Sequence, residues 1–434
     1  MINALGLLRE RRFLPLFTTQ FLGAFNDNLF KTSMVLFATY AVLSDANAES
    51  TFNAVATGIA ILPFFLFSAL SGQLADAHDK ARIIRLVKAA EVAIMAVGAA
   101  GLLVARHGSH ELGIALMLAA VLCLGVHSTF FGPIKYAILP QHLAPDEVLG
   151  GTGLVEAGTY LAILTGTVVA GWVPPEGAAV LVLVLAGVGW AAGRAVPPAP
   201  RLGPKLAIDW NPFTSSWRLV RDTMHVRRLF LAICAISFFW TIGSVLIIVF
   251  PPLVKNVLTA DERVASFTIA VFSVGVAIGS VVINAMLNGR ISARYSPASV
   301  IAMGGFVALF SVLVRGWTPA PAGTLYGFRE FVAQPGAIPI AVTLLLVAVT
   351  GGMFVVPLYA FLTTTVGADQ TARTVAANNV VNSGAMTLGS AAVLAISAAG
   401  VSPQDMLLAV TGMCGVAALM AQRLHRACDA PLPA

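Results

Sequence analysis

Charged and amide side chains occur inside the first long apolar run of the chain, in the stretch FLGAFNDNLFKTSMVLF at residues 21–37. Asp27 and Lys31 are four residues apart, so they share one face of a helix. Inserting such groups into hydrocarbon costs about 2.5–3.5 kcal/mol each. Asp27 and Asn28 could offset that cost by holding an ammonium group or hydroxyls in a cavity, and Asp27 could instead bind a proton or Na⁺. The alternative is an Asp27–Lys31 ion pair that closes on itself.

A second set of ionisable residues lies in the apolar runs between residues 111 and 172. Lys135 follows Pro133, which removes a backbone donor and bends a helix. We expect Lys135 to bind a phosphate and Glu156 to lie at a similar depth, where the two could form an ion pair that a phosphate would open. The lysine could also snorkel to the membrane surface. His127 could be a ligand contact or a core histidine.

The segment SGQLADAHDKAR, residues 71–82, ends one apolar run with Asp76 and begins the next with Lys80 and Arg82. A negative charge at a helix C-terminus is unfavourable, so Asp76 needs a positive partner. Arg82 is one candidate and Arg373, far along the chain, is another. These residues predict a latch that holds one conformation. The alternative is that Asp76 is simply solvated at the helix end.

The second half of the chain has no acid or base deep in its apolar runs. It has instead an aromatic run, Phe238, Phe239 and Trp240. These rings could line a slot for an apolar chain, or they could be packing residues. The asymmetry fits a ligand whose polar end binds the first half and whose apolar part lies against the second, and it fits a degenerate second half equally well.

Composition places the chain in a membrane. Of its 434 residues, 58% are hydrophobic and 11% charged, whereas soluble domains carry about 25% charged residues. The net charge of +6 is better explained by positive loops on one side of the membrane than by nucleic acid. The four scattered cysteines have no metal-ligand or redox spacing, so we expect no metal or cofactor. The first apolar run is too long for a signal peptide and is predicted to be retained.

Cutting the chain at polar, Pro or Gly-rich breaks and requiring about 20 apolar residues per span predicts an all-α membrane protein of twelve helices. The predicted spans are 13–42, 52–76, 81–105, 111–140, 147–172, 176–195, 228–256, 263–288, 297–315, 338–364, 371–398 and 403–424. With both termini cytoplasmic, 19 of the 26 Lys and Arg residues, Lys88 among them, fall on the cytoplasmic side and 5 on the other, with Lys31 and Lys135 inside spans. That excess sets the orientation.

The chain reads as two six-helix bundles, residues 1–195 and 228–434, joined by a basic, Pro-rich cytoplasmic linker at 196–227. The stretch that begins at Ser128 is similar to the one that begins at Gly352, each with a proline inside a span followed by a short acidic turn. A duplicated six-helix unit with a ligand site near the membrane midplane is the architecture of the major facilitators.

Two sets of motifs carry a family resemblance. Gly72, Asp76, Lys80 and Arg82 resemble the signature loop of the major facilitator superfamily, although Asp79 stands where that pattern usually has glycine. The stretches QFLGAFNDNLFK, FFGPIKYAILP, GLVEAG and VVPLYA with RTVAANNVVN resemble the lysophospholipid transporter family, including the form fused to acyltransferase domains. The resemblance runs over nearly the whole chain.

The resemblance implies a secondary transporter that works by alternating access and moves lysophospholipids from the outer to the cytoplasmic leaflet of the bacterial inner membrane. Re-acylation would follow by an acyl-ACP-dependent acyltransferase on a separate chain. Asp27, Lys135 and Glu156 occupy motif positions of that family. We expect contact with membrane lipids, a monomer and no nucleic-acid partner.

Two other classes of function, an acyltransferase and an exporter, predict different sequence features. Glycerophospholipid acyltransferases use a His and an Asp five residues apart, but none of the seven histidines has an aspartate at that spacing. A GxSxG elbow and a Walker A loop are also absent from the sequence, so the prediction is a protein that is not an enzyme. A proton-coupled exporter of drugs or small metabolites with the same fold remains open, because fold does not fix function.

Overall fold

The computed structural model describes residues 4–144, 147–201, 208–287, 292–364 and 368–428, and within these ranges the ordered elements are helices. The α-helices are, in chain order, α1 Leu14–Phe37, α2 Ala46–Ala77, α3 Lys80–His107, α4 His110–Ala137, α5 Leu139–His142, α6 Val148–Ala170, α7 Pro175–Arg194, α8 Pro212–Met224, α9 Arg227–Asn256, α10 Glu262–Leu287, α11 Ser296–Arg315, α12 Phe328–Ala333, α13 Ala337–Thr364, α14 Ala368–Ala398 and α15 Pro403–Cys428.

Each of the twelve predicted spans coincides with one of the long helices, and α5, α8 and α12 are the short ones. Ten helices in the described part of the chain are long and apolar enough to cross a membrane. The all-α membrane architecture expected from composition and periodicity is therefore confirmed. The largest difference from the predicted bounds is at α2, which begins at Ala46 rather than 52. Asp45 causes the early start, because its carboxylate accepts hydrogen bonds from the backbone N–H of Asn47 and Ala48.

Side-chain caps define the breaks between neighbouring spans. Asp79 is the N-cap of α3 and accepts hydrogen bonds from the backbone N–H of Ala81 at 2.8 Å and Arg82 at 3.2 Å. Ser109 caps α4 in the same way through Leu112. The aspartate that departs from the family signature thus has a local role, since it satisfies backbone donors that the first turn of a helix leaves unpaired.

The helices form two compact units. One unit is Met1–Phe37 with Leu66–Ser216, and the other is Ala38–Phe65 with Trp217–Ala434. Helix α2 contributes to both units. In the first unit, α1 packs against α6 and α7, and α3 packs against α4 and α7. The helices approach closely where residues are small: a Cβ on Gly113 would lie 2.4 Å from the Cβ of Ala105.

In the second unit, α9 is largely buried, and α14 and α15 pack against it. The start of α2 is fastened to the end of α9 by a buried carboxylate. Glu49 is completely buried and accepts hydrogen bonds from Lys255 Nζ and Asn256 Nδ2. Lys255 also donates to the carbonyl of Leu43 at 2.8 Å. A charged pair with its remaining hydrogen-bonding positions filled is the form in which buried ions are tolerated.

Hydrogen bonds hold both described parts of the connection between α7 and α9 against the segment around Gln73–Lys80. The backbone N–H of Lys80 donates to Ala199 O at 3.0 Å, and the Ala199 N–H donates to the Asp79 carboxylate at 3.2 Å. The connection also contains α8, which was missed from the sequence because it is too short and too polar to read as a span. Just before α8, the backbone N–H of Asp209 donates to Gln73 Oε1 at 2.8 Å.

Candidate functional site

Asp27 lies on α1 and faces α4 in the first unit. Ser128 Oγ donates a hydrogen bond of 2.7 Å to Asp27 Oδ2. The other carboxylate oxygen, Oδ1, is buried and accepts no hydrogen bond from the part of the chain that the structure describes. The Asp27 side chain as a whole is only half-buried. The carboxylate therefore keeps hydrogen-bonding capacity for a cation or a donor that enters the bundle.

The predicted alternative, an Asp27–Lys31 ion pair that closes on itself, is not how the structure satisfies Asp27. Among the described residues, the hydrogen bond to the Asp27 carboxylate comes from Ser128 and not from Lys31. Asn28 uses its amide N–H to donate to Ala24 O at 2.8 Å on its own helix. The acid and the amide are thus held on adjacent positions of α1, with oxygen acceptors available on both.

A second carboxylate, Glu91 on α3, is the centre of a buried polar cluster. Lys88 Nζ forms an ion pair with Glu91 Oε2, and both side chains are almost fully buried. His127 Nε2 lies 3.2 Å from the same oxygen. Asn26 Nδ2 donates to Glu91 Oε1 at 3.2 Å and is within hydrogen-bond distance of Val182 O on α7. Side chains from α1, α3 and α4 therefore converge on a single carboxylate.

His127 connects this cluster to Asp27. Its Nδ1 is 3.5 Å from Ser128 Oγ, and Ser128 in turn binds Asp27. The imidazole also stacks on Phe131 with 6.3 Å between ring centroids. His127, which was predicted to be a ligand contact or a core histidine, is 6% exposed. It lies between two carboxylates, Glu91 at 3.2 Å and Asp27, which it reaches through the Ser128 hydroxyl.

Lys88 does not belong among the cytoplasmic cations from which the membrane orientation was predicted. It was counted among the cytoplasmic cations, yet it is completely buried. Three glycines, Gly23, Gly189 and Gly193, leave the space that it occupies, and a Cβ on Gly23 would lie 2.8 Å from Lys88 Nζ. Removing it leaves 18 cytoplasmic cations against 5, so the predicted orientation does not depend on it.

Lys135 on α4 belongs to a separate polar group nearer the C-terminal end of that helix. Its Nζ is 3.4 Å from Thr159 Oγ1 on α6 and 4.8 Å from the centroid of the Tyr136 ring. Thr159 Oγ1 donates to Gln20 Oε1 on α1 at 2.8 Å. Lys135 is half-buried in the first unit. The side chain of Glu156, its predicted partner, lies outside the described residues.

The polar group around Asp27 and the one around Lys135 both lie on α1 and α4, with the same spacing on each helix. Asp27 and Gln20 are seven residues apart on α1, and Ser128 and Lys135 are seven residues apart on α4. Seven residues are about two turns, or roughly 10 Å along the axis, on nearly the same face. We call Gln20, Asp27, Ser128 and Lys135 the polar column. It places an acidic layer and a basic layer on one side of the α1–α4 pair.

Trp240, the predicted apolar-chain contact, is on α9 in the second unit. Its indole Nε1 donates to Tyr359 Oη at 2.7 Å. Asn382 Nδ2 also lies 3.4 Å from that hydroxyl, and Ser237 Oγ donates to Asn382 Oδ1 at 2.5 Å. These bonds fix the indole, which is 37% exposed. Asn382 therefore makes the interhelical hydrogen bonds expected of an asparagine inside an apolar helix.

The predicted latch is only partly described. The side chains of Asp76 and Arg373 lie outside the described residues. Arg82 is exposed, and Lys80 is buried at the start of α3. The latch between Asp76 and a basic partner stays a prediction.

An ion pair that was not predicted ties the segment before α1 to the turn before α6. Arg12 donates to Glu147 Oε1 at 2.7 Å. That hydrogen bond, together with one from the backbone N–H of Ala144, holds the pKa of Glu147 below its usual range. The pair fixes where α6, the helix that carries Thr159, begins relative to α1.

Ten described helices that are long and apolar enough to cross a membrane give the chain the architecture of a multi-pass membrane protein. The sequence model of the Major Facilitator Superfamily matches residues 16–390. The chain belongs to this family, and it is accordingly a transporter and not an enzyme.

Relatives and solved structures agree with that assignment. The chain is 27% identical to the lysophospholipid transporter LplT of Cronobacter sakazakii over 82% of this chain and 81% of the relative. It is 28% identical to the protein of the same name from Salmonella typhimurium over 80% and 78%. The fold is similar to an auto-inhibited peptide transporter of the POT family, with a TM-score of 0.70 at 13% identity over 98% of this chain and 99% of that one. A bacterial homologue of the iron transporter ferroportin gives a TM-score of 0.66 at 13% identity over 95% and 99%.

Proposed function

We propose that this transporter moves lysophospholipids, such as lysophosphatidylethanolamine, from the outer to the inner leaflet of the bacterial inner membrane, where they are re-acylated. The observation that carries the proposal is the polar column, which presents an acid and a base about two helical turns apart. A zwitterionic headgroup needs both charges. The names of the relatives at 27–28% identity support the same substrate.

Asp27 is the proposed partner of the ammonium or of glycerol hydroxyls. Its Oδ1 has no hydrogen bond from the described residues, so an incoming donor would compensate a buried acceptor. Asn28, the next residue on α1, offers its side-chain oxygen to the same headgroup. His127 contacts Ser128, which binds Asp27, so a ligand on the Asp27 carboxylate would change the surroundings of the imidazole.

Lys135 is the proposed partner of the phosphate. The hydrogen bond to Thr159 is long, at 3.4 Å, and a phosphate oxygen would make a shorter, charge-assisted bond. Glu156, on the same helix as Thr159, is proposed to compete with the phosphate for this lysine. In the orientation with both termini cytoplasmic, the Lys135 layer lies nearer the cytoplasm than Asp27, so a headgroup would reach it second.

Trp240 on α9 is the proposed contact of the acyl chain. Movement of the headgroup would require alternating access, and Asp76 with Lys80, Arg82 and Arg373 are the proposed gating residues. The acyltransferase that consumes the product would be a separate polypeptide, and the transporter would act as a monomer.

The proposal is tested by following the leaflet distribution of lysophosphatidylethanolamine in proteoliposomes, with and without Na⁺ and proton gradients. We expect protein-dependent transfer between leaflets, and a rise with one gradient would identify the driving ion. Transfer no faster than in protein-free vesicles would reject the substrate. The matched control is the Arg423→Gln protein prepared in parallel, because Arg423 is exposed on α15 and belongs neither to the polar column nor to the proposed gate.

A proton-coupled exporter is the second candidate, and one arrangement favours it. His127 lies 3.2 Å from Glu91 and contacts Ser128, which binds Asp27. A histidine between two carboxylates is suited to carrying a proton. In energised vesicles an exporter would move its substrate outward with the proton gradient and would be insensitive to added lysophospholipid.

A further inference from the structure

Helix α8 in the connection between α7 and α9 has its polar and apolar sides reversed relative to a helix of a water-soluble protein. Ser215, Ser216 and Thr223 are buried. Trp210, just before the helix, and Phe213 and Trp217 within it are 65–68% exposed. Phe213 and Trp217 are four residues apart and so lie on the same face. The side of the helix that carries hydroxyls is covered, while the side that carries large rings is open.

The start of the helix fixes this orientation. Asn211 Oδ1 accepts hydrogen bonds from the backbone N–H of Phe213 at 3.0 Å and of Thr214 at 3.2 Å, which makes it the N-cap. Pro212 follows in the first turn, where its missing N–H costs nothing. Thr214 Oγ1 also donates to Asp209 Oδ2 at 2.9 Å. The direction in which Phe213 and Trp217 point is therefore set by a defined cap.

Position along the chain places this open face beside a membrane. Helix α8 ends at Met224, and α9, a 30-residue helix long and apolar enough to cross a bilayer, begins at Arg227. Two residues span at most about 7 Å. The helix is therefore tethered at the level where a span leaves the hydrocarbon. Tryptophan is the residue type that favours this interfacial level.

The charges around the open face indicate what kind of surface it meets. Arg218 and Arg221 are both exposed, and Arg221 lies four residues beyond Trp217 on the same face. Arg221 also pairs with the exposed Asp222 at 3.2 Å, a surface contact that lipid phosphates would compete with. Arg227 and Arg228 follow at the start of α9. Rings flanked by arginines are the pattern of an interfacial helix that lies on a leaflet with anionic headgroups. A water-facing helix would not concentrate its largest rings on its open side.

We propose that α8 is a membrane-surface anchor: Trp210, Phe213 and Trp217 insert at the headgroup level of the leaflet on the linker side, and Arg218 and Arg221 bind anionic lipid phosphates there. In the proposed orientation this is the cytoplasmic leaflet. The anchor is a lipid-binding surface separate from the polar column, and its existence does not depend on which substrate the transporter carries.

Site-directed spin labels on the full chain test this directly. Native cysteines are replaced, and labels are attached to Phe213→Cys, Trp217→Cys and, as a control, Asp222→Cys, an exposed position about 140° around the helix from Trp217. The protein is reconstituted in vesicles of phosphatidylcholine with or without phosphatidylglycerol. Accessibility to oxygen, which partitions into the bilayer, is compared with accessibility to a water-soluble nickel chelate. We expect the labels at 213 and 217 to favour oxygen and the label at 222 to favour nickel.

Two outcomes would overturn the anchor. Labels at 213 and 217 that match the label at 222 would place the helix in water. Labels shielded from both reagents would mean that protein covers the face, either a second copy or another partner. If the cysteine variants fail to fold, quenching of native tryptophan fluorescence by brominated acyl chains replaces them, and Trp217→Phe should remove part of that quenching.

A charge variant tests the arginines separately. Phosphatidylglycerol should raise the oxygen-to-nickel ratio at position 217 in the otherwise native chain and have no such effect in Arg218→Gln/Arg221→Gln. An equal effect of the anionic lipid in both proteins would reject the proposed role of the arginines.

Discussion

Ser128 donates a 2.7 Å hydrogen bond to the carboxylate of Asp27 and so joins α4 to α1 at the acidic layer of the polar column. Two turns further along α4, Lys135 reaches Thr159 in the basic layer. The same two helices thus present charges of opposite sign at different depths. The described residues leave one oxygen of Asp27 without a hydrogen bond, so this layer has an acceptor available for the proposed ligand.

Replacing Lys135 by alanine should strongly reduce lysophosphatidylethanolamine uptake. A hydrogen bond to a charged group is worth about 1.5–3 kcal/mol, which corresponds to roughly a 10- to 100-fold loss in apparent affinity. Uptake of labelled lipid into proteoliposomes measures the loss, and the thermal midpoint of the purified variant shows whether it is folded. Lys135→Arg, which keeps the charge, should retain more activity. Equal uptake by Lys135→Ala and the native chain would contradict the phosphate role.

Asp27→Asn should change headgroup preference more than it changes folding. The amide keeps the shape but loses the charge that would pair with an ammonium group. We expect a larger fall in uptake for lysophosphatidylethanolamine than for lysophosphatidylglycerol, measured as a ratio in the same preparation. Ser128→Ala, which removes only the orienting hydrogen bond, should have an intermediate effect. A parallel fall for both lipids would indicate that Asp27 does not distinguish the amine.

The buried pair Lys88–Glu91 is predicted to stabilise the first unit without binding substrate. Removing one member of a buried pair leaves an uncompensated charge, at a cost of about 3–5 kcal/mol. Lys88→Met and Glu91→Gln should each lower the thermal midpoint in detergent. The double variant should lose less than the sum of the two single changes, because neither charge is then left alone. If the shift in the thermal midpoint of the double variant equals the sum of the two single shifts, the two residues are not coupled.

The Arg12–Glu147 pair should make stability depend on pH. The folded-state pKa of Glu147 lies below its usual value because of the hydrogen bond from Arg12. Its contribution is therefore fully present above the ordinary carboxyl pKa and is lost as pH falls through the lowered value. Arg12→Gln should lower the thermal midpoint at neutral pH, and the difference from the native chain should shrink in acid. A difference that stays constant across that range would assign the effect of the substitution to something other than Glu147.

The sequence predicted the helices well because each buried apolar run is about as long as a bilayer is thick. It also located Asp27, His127 and Lys135, since ionisable residues in apolar runs are conspicuous. It did not predict that Asn26, Lys88 and His127 converge on Glu91, and it placed Lys88 on the cytoplasmic side. The glycines that make room for Lys88 come from α1 and α7, and such a contact between distant segments has no signature in a single sequence.

The remaining misses have local physical reasons. The predicted span that begins at 52 left out Asp45 and Glu49. In the structure Asp45 caps α2 and Glu49, inside the helix, pairs with Lys255. Helix α8 was read as part of a linker because a 13-residue amphipathic helix is not a span. In both places a polar side chain, Asp45 or Asn211, caps the start of a helix.

The most direct test of the central claim compares binding of two amphiphiles with the same acyl chain. Lysophosphatidylethanolamine and the corresponding monoacylglycerol would be titrated into purified native protein and into Asp27→Asn/Lys135→Ala. If the polar column binds the headgroup, the native protein prefers the lysophospholipid, and the double variant binds the two amphiphiles with nearly equal affinity. A preference of the same size in both proteins would show that these charges have no part in recognising the headgroup.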